Sequence, residues 1–382
     1  MKKMKFAGFL VSLLLSVPAF AQSSSDAALK ADSLHKQAKV HFKQQDSTLL
    51  FQDLSAALSM YQSLQDTNGM ANVTNDFGYY YYFFGDFEKS IPYYQQALAL
   101  DAAQGDTVGM IGRYYNLGGA YENLGKYVLA LEHRLQGLDL AKTIGRAKSM
   151  AMSSNGLAGL YREQEQYELA LHFYHQALWA YNSIQDSLGA SYVLNNLGML
   201  HKGMQNYDSA GYYYQRAMRY KLVVANERSQ ANTMTNLGEL YILKDSLRQA
   251  LPYLLRAQRI FQQKQDTYRM AWAGNKLAGL YLRQDSVVPA RLVLDSVQSY
   301  LQQELNARAE RLSYLENEYR WHEAQGKSKA ALDYHKQWAA LRDSLFNEEK
   351  LQVQQIQAAY QLKQEEQARK LAQQEAVLAQ AE

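Results

Sequence analysis

Residues 116–130 read Asn-Leu-Gly-Gly-Ala-Tyr-Glu-Asn-Leu-Gly-Lys-Tyr-Val-Leu-Ala, and this stretch decides the fold. Leu117, Gly118 and Tyr121 lie at offsets 0, +1 and +4, so they share one face of a helix, helix A of the unit. Gly125-Lys126 then breaks the pattern, Tyr127 anchors a second helix (B), and Ala130 opens a stripe of small residues on it. The glycine lets a neighbouring helix come close, while Leu117 and Tyr121 fill the space beside the contact.

Written in rows of forty, the chain repeats this stretch without a gap. The first column runs Phe77, Leu117, Leu157, Leu197, Leu237, Leu277, and the next Gly78, Gly118, Ala158, Gly198, Gly238, Ala278. The aromatic column is Tyr81, Tyr121, Tyr161, His201, Tyr241, Tyr281. On helix B the small residues are Ser90, Ala130, Ala170, Ala210, Ala250, Ala290, and seven positions on Ala97, Gly137, Ala177, Ala217, Ala257, Val297. Pro92, Pro252 and Pro289 fall near the start of helix B, where a missing N–H costs little. The register continues weakly outward through Ala38 and Ala57 on one side and Ala330 and Tyr334 on the other.

Leu-Gly-x-x-Tyr followed by Ala, as in residues 117–130, and Ala170-x-x-x-Tyr174-x-x-Ala177 resemble the tetratricopeptide repeat. The aromatic of helix B is replaced by Arg134, Leu254 and Leu294 in three rows, and the period is forty rather than roughly 34. The extra residues are expected to lengthen helix B and the connection after it, which carries Asp106, Asp186 or Asp266. The resemblance implies an all-α, right-handed solenoid of about eight helix pairs, two of them degenerate caps, followed by a long C-terminal helix. The expected organisation is a signal peptide over 1–21, a degenerate N-terminal repeat over 22–65, six repeats over 66–305, a degenerate repeat over 306–345 and a polar helix over 346–382.

The signal peptide is read from Lys2, Lys3 and Lys5, an apolar stretch from Phe6 to Val17, and the small-x-small triplet Ala19-Phe20-Ala21. The apolar run is shorter than the roughly 20 residues of a spanning helix, so cleavage after Ala21 and export to a bacterial periplasm or envelope are expected. The net charge of +3 falls to zero without those three lysines, which leaves no global field for nucleic acid or anionic lipid. No cysteine is present, so packing alone stabilises the exported chain. Residues 346–382 contain neither Gly nor Pro; Val353, Ile356, Tyr360, Leu371 and Leu378 sketch an interrupted coiled-coil seam through which the chain is expected to dimerise.

No phosphate loop, nucleophile elbow or zinc-protease signature occurs, so neither catalysis nor a cofactor is expected. His172 and His175 lack a third metal ligand, and His201 occupies the tyrosine column as a packing residue. Binding is the better prospect. In the resembling family helix A lines a concave groove, which here points to Asn75, Tyr79 and Tyr82; Tyr115 and Glu122; Met152, Asn155 and Arg162; Tyr192, Asn195, Met199 and Lys202; Asn232, Thr235 and Glu239; and Trp272 with Asn275. Asn75, Asn155, Asn195 and Asn275 share one column, where an amide either reads the backbone of an extended peptide or bonds the next helix to hold the repeat together. Lysines and arginines are too scattered for a carboxylate clamp.

Two readings follow: an exported adaptor that binds an extended protein segment, with no nucleic-acid partner, or the input region of a membrane signalling protein. Domain order and the polar helix beginning Phe346-Asn347-Glu348-Glu349-Lys350 resemble sensor histidine kinases that carry such repeats. No kinase phosphoacceptor box or nucleotide motif accompanies them, so that reading requires a span and an output domain beyond Glu382.

Overall fold

The computed structural model describes residues 8–44, 46–223, 226–303 and 307–345, together with Arg369 and Gln373. Among these residues there are helices and turns but no strand. The helices are α1 (Gly8–Lys43), α2 (Ser47–Ser63), α3 (Thr67–Phe83), α4 (Phe87–Gln104), α5 (Thr107–Asn123), α6 (Tyr127–Thr143), α7 (Ala147–Glu163), α8 (Tyr167–Ser183), α9 (Ser187–Gly203), α10 (Tyr207–Val223), α11 (Glu227–Leu243), α12 (Leu247–Gln263), α13 (Thr267–Arg283), α14 (Val287–Gln303) and α15 (Arg308–Ala324), with α16 over 328–345. They form two compact units divided between Ala141 and Lys142, each a stack of antiparallel helix pairs.

One turn explains the spacing. The residue between two helices takes a left-handed backbone at Gln65, Gly85, Gly105, Gly125, Gly145, Glu165, Gln185 and Gln205, twenty positions apart each time, and again at Asp245, Gln265 and Asp285. At Gly85 the amide donates to Tyr82 O (3.0 Å) and the next amide, of Asp86, reaches back to Tyr81 O (2.9 Å), which satisfies the last carbonyls of α3. The following residue caps the next helix: Asp66 accepts from Gly69 N, Asp86 from Lys89 N, Asp106 from Gly109 N and Asp186 from Gly189 N.

This corrects the expected placement of the extra residues. Up to α14 the connection after helix B is no longer than the one after helix A. Both helices run to 17 residues in α7 through α14, and Asp106, Asp186 and Asp266 are N-caps of the next helix A. Pro289 is the third residue of α14, but Pro92 and Pro252 lie farther inside α4 and α12, where each removes a main-chain donor.

The columns are the core. Leu117, Leu157 and Leu197 are fully buried, as are Ala130, Ala170, Ala210 and Ala250. The glycine column faces the variable position of helix B: a Cβ on Gly78 would stand 2.7 Å from the Tyr94 ring, and on Gly198 2.5 Å from that of Tyr214. At Gly238 the same space is taken by Leu254, and at Gly118 by the stem of Arg134. At these four positions the absent Cβ lets the paired helices approach closely beside a large side chain.

The aromatic column stacks on helix B twelve residues later. Tyr81 lies on Tyr93 (5.4 Å between centroids), Tyr121 on His133 (5.3 Å), Tyr161 on Phe173 (5.5 Å), His201 on Tyr213 (5.1 Å) and Tyr241 on Tyr253 (5.6 Å). Each such pair contributes about 0.5–1.5 kcal/mol beyond its burial. His201 is thus a ring in a stack, and burial with His175 nearby pushes its pKa down.

The register slips by one at the C-terminal pair. The left-handed residue is Gly326, 41 positions after Asp285, because the connection from α14 to α15 holds one residue more than the others. Ala331 rather than Ala330 takes the small-residue place after the turn, and Tyr334 takes the stacking place, on His322 at 5.2 Å.

At the other end, α1 continues through Ala21 and Gln22, and its later turns pack Ala31 and Ala38 against Leu50, Leu54 and Ala57 of α2. Lys2, Lys3 and Lys5 lie outside the described residues, as does the tail 346–382 apart from Arg369 and Gln373, and with it the expected dimer seam. Among the described residues no helix is long and apolar enough to cross a membrane.

Candidate functional site

In the first unit the stripe lies on α3 and α5. Asn75 accepts from Asn116 Nδ2 across the two helices at 2.8 Å and donates weakly to Asp76 at 3.4 Å. Asp76 is held by His35 Nε2 (2.7 Å) and Lys39 Nζ (3.2 Å); burial opposes its ionisation, yet these two partners keep its pKa below the usual carboxylate range. Tyr79 is 42% exposed and stands edge-on to Phe42, beside the exposed Phe83 and Phe84. The Tyr82 hydroxyl accepts from Asn123 at 2.9 Å. Tyr115 lies under the Arg134 guanidinium, 5.2 Å from its ring centre, and Arg134 pairs with Glu122.

In the second unit the same columns carry different chemistry. Asn155 accepts from Asn196 Nδ2 at 3.0 Å, and Asn195 accepts from both Asn236 Nδ2 (3.2 Å) and Thr233 Oγ1 (3.0 Å). Asn275 is buried and its side-chain amide donates to the Glu310 main-chain carbonyl (2.9 Å), while the main-chain carbonyl of Asn275 accepts from Asn317 Nδ2 (2.9 Å). In each case the asparagine ties one A helix to the next, the second of the two roles its column allows.

Met199 sits between the Asn195 amide (3.7 Å) and the Arg162 guanidinium (3.9 Å). Lys202 and Lys276 converge on Glu239 at 2.5 and 2.7 Å. Burial alone would raise the Glu239 pKa, but the two ammonium groups bring it down to about 2. Trp272 is half-buried against the cluster of Met234, Phe261 and Met270, and Asn232 is half-buried with its carbonyl oxygen unpartnered.

Tyr192, 42% exposed, has the Lys221 ammonium 5.5 Å from its ring centre. Lys221 is almost wholly buried, donates to Thr233 Oγ1 (2.6 Å) and the Ser229 carbonyl (3.2 Å), and burial pushes its pKa down to about 7. Lys221, Thr233 and Lys276 were not among the residues picked from sequence. The available signal was Lys221 itself, a lysine in a column otherwise holding Tyr61, Asp101, Ala141, Tyr181, Phe261 and Leu301.

The structure therefore assembles Asn155, Asn195, Met199, Arg162, Lys202, Tyr192 and Asn232 on consecutive A helices of the second unit, and Asn75, Tyr79 and Tyr115 on those of the first. Such a face can bind through amides, aromatic rings and paired charges. Among the described residues no cluster of three or more His, Asp or Glu side chains could hold a metal ion.

The tetratricopeptide-repeat family model matches residues 29–103 and 189–263. No curated protein matches the chain. Among solved structures, a Rap protein complexed with Competence and Sporulation Factor is similar at 14% identity and TM-score 0.60, over 85% of this chain and 99% of that one. The Rap conjugation gene regulator of plasmid pLS20, in complex with the Phr* peptide, gives 15% identity and TM-score 0.59 over 88% and 97%. The apo quorum sensor NprR of B. thuringiensis gives 13% identity and TM-score 0.59 over 87% and 94%. At these identities the likeness is one of fold.

Proposed function

We propose that this chain of tetratricopeptide repeats is a non-catalytic interaction module whose A-helix stripe takes an extended segment of a partner protein. The observation that carries the reading is the pair Tyr79 and Tyr192. Each is a large aromatic left 42% exposed on an A helix whose neighbouring amides and charges are tied down. Rigid rings in a pre-ordered polar frame are the residues from which hot spots are made. A structure of similar fold holding the Phr* peptide supports the same use of the architecture.

Photo-crosslinking is the test. A benzophenone side chain at position 79 or 192 should capture a partner protein, and one at Leu292, exposed on helix B, should not. Capture equal at all three positions, or at none, would overturn the proposal.

The setting we assign is envelope signalling or assembly, on the strength of the basic and apolar leader and the Ala19-Phe20-Ala21 triplet. Fractionation of the tagged chain should recover a periplasmic species beginning at Gln22; an uncleaved cytoplasmic chain would rule this out. Dimerisation through 346–382 is the companion proposal, and a monomer by light scattering at high concentration would contradict it.

A further inference from the structure

The exposed side of the B helices in the second unit has a feature that the stripe does not use. Helices α10 and α12 carry Arg216, Arg219, Arg248, Arg256 and Arg259 against one acid, Asp208, which Lys244 already holds at 2.7 Å. Arg216 and Arg219 occupy the same two positions of their repeat as Arg256 and Arg259. Elsewhere those positions hold Gln96, Gln136, Gln176 and Ser296, or Ala99, Asp139, Trp179 and Ser299, so the helix pair itself has no need of arginine there. Arg216 lies on the Tyr212 ring at 5.5 Å; Arg219, Arg248, Arg256 and Arg259 make no ion pair among the described residues.

Two of these arginines line a cleft of about 420 Å³ between α11 and α12. Its apolar part is Leu255, 45% exposed, and the buried Ile260; its polar part is Gln230, Glu227 and the guanidinium groups of Arg256 and Arg259. Glu227 is neutralised by Lys264 at 2.7 Å, which leaves both arginines uncompensated. Spaced three residues apart, they share one helix face, and a planar guanidinium matches a carboxylate through two parallel hydrogen bonds.

We propose that this cleft is a second binding site, for an acidic, amphipathic segment of a partner protein: carboxylates on Arg256 and Arg259, an apolar side chain on Leu255 and Ile260. Arg216 and Arg219, in the same register one repeat earlier, extend the contact. A phosphate backbone fits less well, because the cleft is half apolar and the chain without its leader has zero net charge.

The probe is a fluorescein-labelled synthetic peptide alternating leucine and glutamate pairs, titrated by anisotropy against the full chain. Its glutamine counterpart, a single-stranded oligonucleotide of equal charge and phosphatidylglycerol vesicles are run in parallel. The glutamate peptide should bind, and R256E/R259E should weaken it roughly tenfold or more. R256K/R259K, which keeps the charge but not the fork, should show a smaller loss, and Tyr192→Ala on the stripe none. Equal binding of the glutamate and glutamine peptides, preference for the oligonucleotide or the vesicles, or indifference to R256E/R259E would each overturn the proposal. Because these arginines are surface residues, unchanged circular dichroism separates lost binding from lost fold. Loss of peptide binding on Tyr192→Ala with R256E/R259E silent would assign the peptide to the stripe instead.

Discussion

The A helices of the first unit and those of the second share a backbone and differ in what they offer. At one column α3 holds Tyr79 and α11 holds Glu239; at another α3 holds Asp76 and α13 holds Lys276. The first unit gathers aromatic rings, with Tyr79, Tyr80 and Phe83 packed round Phe42 at centroid distances of 6.1, 4.6 and 4.7 Å. The second gathers amides and a Lys–Glu–Lys triad. The core columns make the helix pairs interchangeable, while the stripe is free to diverge because none of its residues sets the distance between paired helices.

Core substitutions should therefore cost the same in either unit. Tyr94→Ala and Tyr214→Ala each open a cavity beside a glycine and should each lose roughly 3–5 kcal/mol. Urea unfolding monitored with amide exchange in the affected helices is the measurement; a cost confined to one unit would break the equivalence.

Stripe substitutions should act in one unit only. Glu239→Gln leaves Lys202 and Lys276 without their shared carboxylate and should cost about 3 kcal/mol at neutral pH. The folded Glu239 pKa of about 2 lies below that of an unfolded glutamate, about 4.3. Its contribution is therefore complete above the unfolded value and lost as pH falls through about 2. Wild type and Glu239→Gln should converge in acid, and parallel curves would contradict the triad.

Asn195→Ala removes two interhelical hydrogen bonds and should cost about 1–2 kcal/mol, with faster exchange in α9 and α11. No loss would return this asparagine to a pure ligand role. Lys221 gives an effect that is read through pH. Its pKa is lower folded, about 7, than unfolded, about 10.4, so the unfolded chain holds the extra proton between those values. Its presence should make stability rise as pH goes from 7 to 10, by up to about 3 kcal/mol, and Lys221→Met should flatten that rise.

Much of this was legible in the residues because it is local and periodic. Leu117, Gly118 and Tyr121 announce a helix face, and forty-residue spacing announces its repetition. The stripe was partly legible: Asn195 and Met199, one turn apart on α9, do touch. Their partners were not legible, since Asn195 bonds Asn236 and Lys202 bonds Glu239 from the next repeat. The slip at Gly326 was hidden too, because one added residue before α15 leaves Ala330 and Ala331 equally plausible in the small column.

By itself, then, the amino-acid sequence determined the paired helices, their small-residue contacts and the residues that stand on each A helix, all of which follow from periodicity along one chain segment. The tertiary structure alone decided three further things. The forty-residue period is a twenty-residue helix and turn used twice, the column asparagines are interhelical ties, Lys221 is a buried amine, and Glu239 is a half-buried carboxylate between two lysines. The physical reason is range: a hydrogen bond across successive A helices spans about forty residues, and its existence depends on helix offsets that no single repeat encodes.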